Sequence, residues 1–350
     1  MPAVTSGVVA VTGATGFVGS HVCRELLKRG FTVRAVVRQP DNEAKVAHLV
    51  AMENAASNLT LARGNLMEPG SYDEAFAGAD AVVHCAARVH EQGSAAMIPS
   101  HLEGTQNVLD SAQKAGSVRR FVQTSSIAAV QDPFKPRPDP EKPANFAEED
   151  YSDACTPEVG GFYATAKREA ERLVQGFCAR AEVKFDCVIL CPGVVIGECL
   201  CKAHTKASPV FVRQLIFGNE QFDVYMPWVD AEDVAAAHAE ALVREDAASG
   251  LGRFIVTGDF DGKVDALVPL LEDLYPDTKF DAVHMPWWKW IFAWFFAWKF
   301  ELAMVDSMMH QENGLSKARL GIQYTDIKTS LKRTVDSMVD TKWVRARKKR

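Results

Sequence analysis

The most apolar stretch of this 350-residue sequence runs uninterrupted for only nine residues, Trp290–Trp298, where a membrane-spanning helix needs roughly 20. Positive charge is not in excess: 39 Lys and Arg stand against 45 Asp and Glu, a formal net charge of −6 that gives no general attraction for nucleic acid. Repeats and low-complexity tracts are missing, and charged residues at 24% exclude both wholesale disorder and a polytopic membrane protein. The first nine residues lack the basic start and apolar core of a secretory signal. The eight cysteines are therefore expected to be buried or free thiols in the reducing cytoplasm. Cys199-Leu200-Cys201 followed by His204 has a faintly zinc-like spacing, yet no second ligand pair follows it, so no metal is expected.

Hydrophobic residues, 47% of the chain, suffice for one large α/β domain with a smaller appended lobe. Through the first 190 residues short β-branched runs alternate with helical stretches, the pattern of a parallel sheet with crossover helices. Strands are predicted over 8–11, 32–37, 59–62, 81–84, 120–123 and 186–190, and helices over 16–29, 102–115 and 163–181. Six prolines between Gln131 and Val159 are too many for a regular element, so that stretch reads as a long ordered loop of the kind that faces substrate. Beyond Leu190 the alternation weakens, with Trp228–Arg244 and Arg253–Val256 expected to return to the main sheet.

The first strand runs directly into Thr12-Gly13-Ala14-Thr15-Gly16-Phe17-Val18-Gly19 and then into a helix. This suits a dinucleotide pyrophosphate. Gly13 permits the tight turn, Gly16 lets backbone approach the phosphates, and Gly19 lets the helix pack closely on the sheet. The amides at the helix start, those of Phe17 and Val18 among them, supply the anion site. At the end of the second strand an acid would bond the ribose 2′-hydroxyl of NAD. Arg38 stands there instead, with Lys45 further on, and the two are expected to clamp a 2′-phosphate. NADP is the cofactor expected, with NAD the alternative.

Tyr163 and Lys167 have the i, i+4 spacing that places a phenol and an ammonium on one helix face. An ordinary phenol, with a pKa near ~10, exchanges protons poorly at neutral pH. A neighbouring cation favours its ionised form, and Tyr163 can then take a proton from an alcohol or give one to a carbonyl. Upstream, Phe121–Ser126 ends a strand with hydroxyls at the carboxyl edge, where ligands sit in doubly wound folds. Ser126 is expected to orient the substrate oxygen toward Tyr163.

Thr-Gly-x-x-Gly-x-x-Gly at 12–19, Thr-Ser-Ser at 124–126 and Tyr-x-x-x-Lys at 163–167, in that order, resemble the extended short-chain dehydrogenase/reductase (NAD-dependent epimerase/dehydratase-like) family. Val33–Arg38 with Lys45, and Val118–Ser126, are most similar to its dihydroflavonol reductase and cinnamoyl-CoA reductase branch, and the 3β-hydroxysteroid dehydrogenase branch is also similar. The resemblance implies an α/β Rossmann fold, a doubly wound parallel sheet with a smaller C-terminal substrate lobe. The expected organisation is a cofactor domain over 1–191 with 228–257 returning to it, the lobe over 192–227 and 258–340, and a basic tail over 341–350. It also implies Ser126, Tyr163 and Lys167 as the catalytic set, Lys167 bonding the nicotinamide ribose as well. Pro192 would lie beside the nicotinamide and Ala86 along the adenosine ribose. Asn65-Leu66 stand where the family commonly has Asp-Leu against adenine; the amide can still accept a hydrogen bond.

The activity implied is an oxidoreductase on CH–OH groups, moving hydride between NADP(H) and a small hydrophobic secondary alcohol, ketone or aldehyde. Two rivals share the fold: a nucleotide-sugar epimerase or dehydratase with tightly bound NAD, and a non-catalytic NADP-binding regulator. Sugar dehydratases carry an Asp-Glu pair just after the position of Ser126, where this chain has Ile127-Ala128. NAD-retaining epimerases commonly carry an acid where Arg38 stands, and the regulators typically lose the Tyr/Lys pair.

Met285–Phe300 packs five tryptophans and four phenylalanines into sixteen residues. A helix over 286–300 that is apolar nearly all round is buried or in contact with lipid. Three readings follow: core of the lobe, a substrate or dimer contact in a monomer or homodimer, or peripheral contact with a membrane surface. Six basic residues among the last nine add weight to the membrane reading, against the alternative of a solvated, disordered end.

Overall fold

Valine crowds the central strands of the first half of the chain because these strands are covered on both faces. The computed structural model describes residues 3–87, 94–136, 142–221, 224–284, 299, 303–304 and 307–349. Its strands begin with β1 (Val8–Thr12), β2 (Thr32–Val37), β3 (Leu59–Arg63), β4 (Ala81–His84), β5 (Arg120–Thr124), β6 (Ala144–Phe146) and β7 (Asp186–Pro192). They continue with β8 (Val194–Ile196), β9 (Glu220–Gln221), β10 (Tyr225–Asp230), β11 (Arg253–Val256), β12 (Asp261–Lys263), β13 (Val283–His284) and β14 (Met309–Gln311). The first helices are α1 (Phe17–Lys28), α2 (Glu43–Val50), α3 (Ala55–Asn58), α4 (Asp73–Phe76), α5 (Met97–Ala115) and α6 (Phe162–Cys178). After them come α7 (Val210–Phe217), α8 (Ala231–Val243), α9 (Leu267–Leu274) and α10 (Ile327–Val339).

Seven parallel strands form the central sheet in the order β11-β7-β5-β4-β1-β2-β3. Along β1, Val9 and Val11 join the core under α1 and α8, whereas Ala10 joins the core under α5 and α6. Period-two alternation sends successive side chains to opposite faces, so each face buries its own apolar set. From β1 the chain winds outward through β2 and β3, then returns to β4 on the other side and winds away through β5, β7 and β11. That reversal between β1 and β4 opens a crevice at the carboxyl ends of the strands, the usual ligand position of a doubly wound sheet.

The return from the lobe takes two forms. β11 pairs with β7 at the edge of the main sheet and α8 packs on α1. The strand containing Trp228 instead joins a second sheet, β12-β10-β8, with Trp228 opposite Val194. A separate apolar core surrounds buried Trp228, with Leu215 of α7, Leu267 of α9 and Leu331 of α10.

The proline-rich stretch is not all loop. Past Pro143 the backbone amides are free to pair, and Ala144–Phe146 forms β6, parallel to β14. The basic tail is docked rather than loose. Arg347 Nε donates to Ile216 O at 2.7 Å and its guanidinium pairs with Asp281 at 3.0 Å, while Lys349 pairs with Glu272 at 3.1 Å. The tryptophan-rich stretch 286–300 lies outside the described residues, apart from residue 299. Among the described residues, no helix is long and apolar enough to cross a membrane.

Candidate active site

The glycine turn sits at the carboxyl end of β1, pressed against the end of β4. Gly13 has φ +68°, and a Cβ there would lie 2.8 Å from the backbone of Ala86. A Cβ on Gly19 would lie 2.3 Å from Gly13 O, so only glycine lets α1 start this close to the turn. Gly16 N donates to Gly13 O at 2.9 Å and Ser20 Oγ donates to Ala14 O at 2.8 Å, closing the turn on itself. Phe17 and Val18 open α1 directly after the turn, so their amides are among the helix-start donors without an intrahelical partner. The Phe17 ring faces the other way and packs edge-on against His21 and His204.

A cleft of about 520 Å³ opens above the turn and brings together Gly13, Gly16, Arg38, Asn65, Leu66 and Ala86. Tyr72 lines it too, which the sequence did not suggest. Lys45 is not among the lining residues; its ammonium donates to Gln39 Oε1 at 2.6 Å. A second depression adjoins the cleft through Arg38 and is bordered on its far side by Arg63 at the end of β3. Asn65 is held in its own turn, Nδ2 donating to Glu68 Oε1 at 2.7 Å and Oδ1 accepting from Met67 N at 3.3 Å, with one lone pair of Oδ1 left over. Backbone too close for a side chain, a helix N-terminus and an exposed guanidinium at one end together fit an elongated anionic group such as a dinucleotide with a 2′-phosphate.

The proposed catalytic side chains gather at the carboxyl end of β5. Ser126 caps a short turn over Ile127–Ala129, where its Oγ accepts from Ala128 N at 3.2 Å and keeps its own proton for another acceptor. Tyr163 stands in the first turn of α6, which packs on that same short turn. Lys167 is buried, only 8% exposed; its Nζ donates to Thr124 O at 3.3 Å and lies 5.9 Å from the Tyr163 ring centroid. Its charge is felt across the sheet. Burial, helped by the Lys167 ammonium, pulls His84 down to about 3, and burial pushes Cys85 up to about 11 against the opposing effect of Lys167. Pro192 is buried at the end of β7, opposite Val256.

Under the glycine turn, His48, Cys201 and His204 bring their ligating atoms within 4.8 Å of one another, a grouping of the kind the Cys-x-Cys…His spacing hinted at. Hydrogen bonds already use both nitrogens of His204. Nδ1 accepts from Leu200 N at 3.2 Å, so Nε2 carries the proton and donates to Thr15 O at 3.2 Å. A cation would have to displace one of these bonds. Burial holds His204 down to about 4, so the imidazole is a neutral clamp on the glycine turn.

Residues 9–256 match the model of the NAD dependent epimerase/dehydratase family. A cinnamoyl-CoA reductase of Medicago truncatula is 32% identical over 349 residues, covering 96% of this chain and 97% of that protein. A bifunctional dihydroflavonol 4-reductase/flavanone 4-reductase of Pyrus communis is 30% identical over 291 residues, 79% of this chain and 80% of its own length. Among solved structures, Gre2 of Candida albicans in complex with NADPH superposes with a TM-score of 0.78 at 25% identity, covering 95% of this chain and 98% of that one.

Proposed function

This chain belongs to the NAD dependent epimerase/dehydratase family and is an NAD(P)-dependent oxidoreductase of the extended short-chain dehydrogenase type, and on that premise we propose that it reduces a hydrophobic ketone or aldehyde with NADPH through Ser126, Tyr163 and Lys167. The observation that carries the reading is the placement of Lys167, buried between the ends of β4 and β5, bonded to Thr124 O and close to the Tyr163 ring. The relatives favour the reductive direction and the phosphorylated cofactor: they are named as reductases, and the Candida protein was solved with NADPH.

When bound in the cleft, the reduced nicotinamide supplies the hydride. Ser126 donates its free proton to the substrate oxygen and orients it. Tyr163 passes its phenolic proton to that oxygen as negative charge develops there. The Lys167 ammonium lowers the cost of leaving a phenolate behind. Arg38, exposed and at the end of the cleft, holds the 2′-phosphate.

A panel of cinnamoyl thioesters, dihydroflavonols, sterol ketones and aliphatic aldehydes, followed by loss of NADPH absorbance, tests the reading. Turnover is expected with at least one hydrophobic carbonyl. Turnover with nucleotide sugars alone, without net consumption of NADPH, would replace it with epimerase chemistry.

A further inference from the structure

Glu171 lies one turn beyond Lys167 and two turns beyond Tyr163, on the same side of α6. With Arg253, the first residue of β11, it forms an ion pair at 2.7 Å in which both side chains are fully buried. Removing two charges from water is costly unless their remaining lone pairs and protons find partners. Here the partners come from the turn at Ser126, from β7 and from the proline-rich segment. Glu171 Oε1 accepts from Ser125 Oγ, and from Cys191 Sγ at 3.3 Å. Arg253 Nη2 donates to Ala129 O at 3.3 Å. Nη1 donates to Glu148 O at 2.7 Å and Asp150 O at 2.6 Å, and the guanidinium lies 4.1 Å from the Tyr151 ring centroid.

Ser125 and Ala129 bracket the turn that begins at Ser126. One buried pair thus grips that turn at both ends. It ties the turn to the helix carrying Tyr163 and Lys167, and it anchors the proline-rich segment at Glu148 and Asp150 to the same point. An apolar pair of equal volume would fill this space as well; what the charges add is direction.

Resting on the reading of Ser126, Tyr163 and Lys167 as the reacting site, we propose that Glu171 and Arg253 are positioning residues that set the placement of Ser126 relative to Tyr163. Displacements of about 1 Å at such a site cost on the order of 10²-fold in rate. The test replaces both charges, Glu171→Met with Arg253→Met, so that no lone buried charge remains. Rates are expressed per site that binds NADPH. The expected result is a kcat lower by roughly 30- to 100-fold, with NADPH affinity and the carbonyl KM within about twofold, the pattern of an interaction realised in the transition state. Ser125→Ala, which removes a single tie and leaves Cys191 on Glu171, is expected to lower kcat about fivefold with the melting temperature down by only a few degrees, and it decides the matter if the double variant does not fold. A kcat retained in the folded double variant, or in Ser125→Ala where the double fails, overturns the proposal, provided that Tyr163→Phe is inactive. A fully active Tyr163→Phe enzyme overturns the reading of the site instead.

Discussion

Arg63 stands directly across the parallel ladder from Val37, so its side chain and that of Arg38, the residue just past the end of β2, border the same depression beside the cleft above the glycine turn. Arg63 is paired with Glu68 at 2.6 Å, but both side chains are about half exposed. Ion pairs of that kind contribute little in water, so a phosphate competes well for the guanidinium. Lys45, turned toward Gln39, is the weaker candidate for the second arm of a phosphate clamp.

The first prediction follows for cofactor choice. Arg38→Ala should raise the Kd for NADPH by roughly 10- to 100-fold, the scale of one or two charge-assisted hydrogen bonds, and leave NADH within about twofold. Arg63→Ala should do the same on a smaller scale, roughly three- to tenfold. Fluorescence titration with both cofactors checks this. Equal affinity of the parent protein for NADH and NADPH would contradict the assignment.

Tyr163→Phe removes only a hydroxyl, so NADPH binding should stay within about twofold while kcat drops by roughly 10²- to 10⁴-fold. Lys167→Ala should impair both, because its ammonium also anchors to Thr124 O at the end of β5. Steady-state rates on a confirmed carbonyl, set beside NADPH titration, separate the two behaviours. A Tyr163→Phe enzyme of near-normal rate would remove the phenol from the chemistry.

Stability should fall on mild acidification. Burial holds His21 and His84 down to about 3 and His204 and His238 down to about 4. An unfolded histidine titrates near ~6.5, so between about pH 6.5 and 4 the unfolded chain binds more protons and stability declines as pH drops. Asp233 opposes this: burial raises it to about 6, so its contribution is present at low pH and is lost as pH rises through that value. Burial lowers His48 as well and raises Glu148 and Asp261, so five histidines stand against three carboxyls and the net is a loss in acid. The melting temperature at pH 5 should lie below that at pH 7.5, and His204→Gln should narrow the gap. A flat profile would contradict the burial of these rings.

Truncation after Val344 removes Arg347 and Lys349 with their links to Ile216, Asp281 and Glu272. The melting temperature should drop by a few degrees, about what the loss of one to two kcal/mol produces in a chain of this size. A solvated end would leave it unchanged. Calorimetry of the two proteins decides between them.

Much of the site was legible because its parts are local. β2 and β4 occupy the residues that the β-branched runs marked, and the strand–glycine turn–helix order put Gly13, Gly16 and Gly19 in place. Tyr163 and Lys167 share a face of α6 because four residues make about one turn. Glu171 continues the same spacing and was open to the same reasoning. Its significance was not, because nothing near it in sequence says whether a glutamate faces water or a buried arginine.

By itself the sequence determined what short-range sterics and periodicity dictate: strands buried on both faces, a turn only glycine can make, and a helix face carrying a phenol and an ammonium. Only the tertiary structure decided which distant charges meet. Arg253 reaches Glu171 across 82 residues, Arg63 comes beside Arg38 through the β2–β3 register, β14 pairs with a proline-rich stretch that read as loop, and the basic tail docks on Ile216 and Asp281. The reason is physical. Backbone conformation follows from neighbours along the chain, whereas the partner of a charge follows from which surfaces are buried together, and that depends on the winding of the whole sheet.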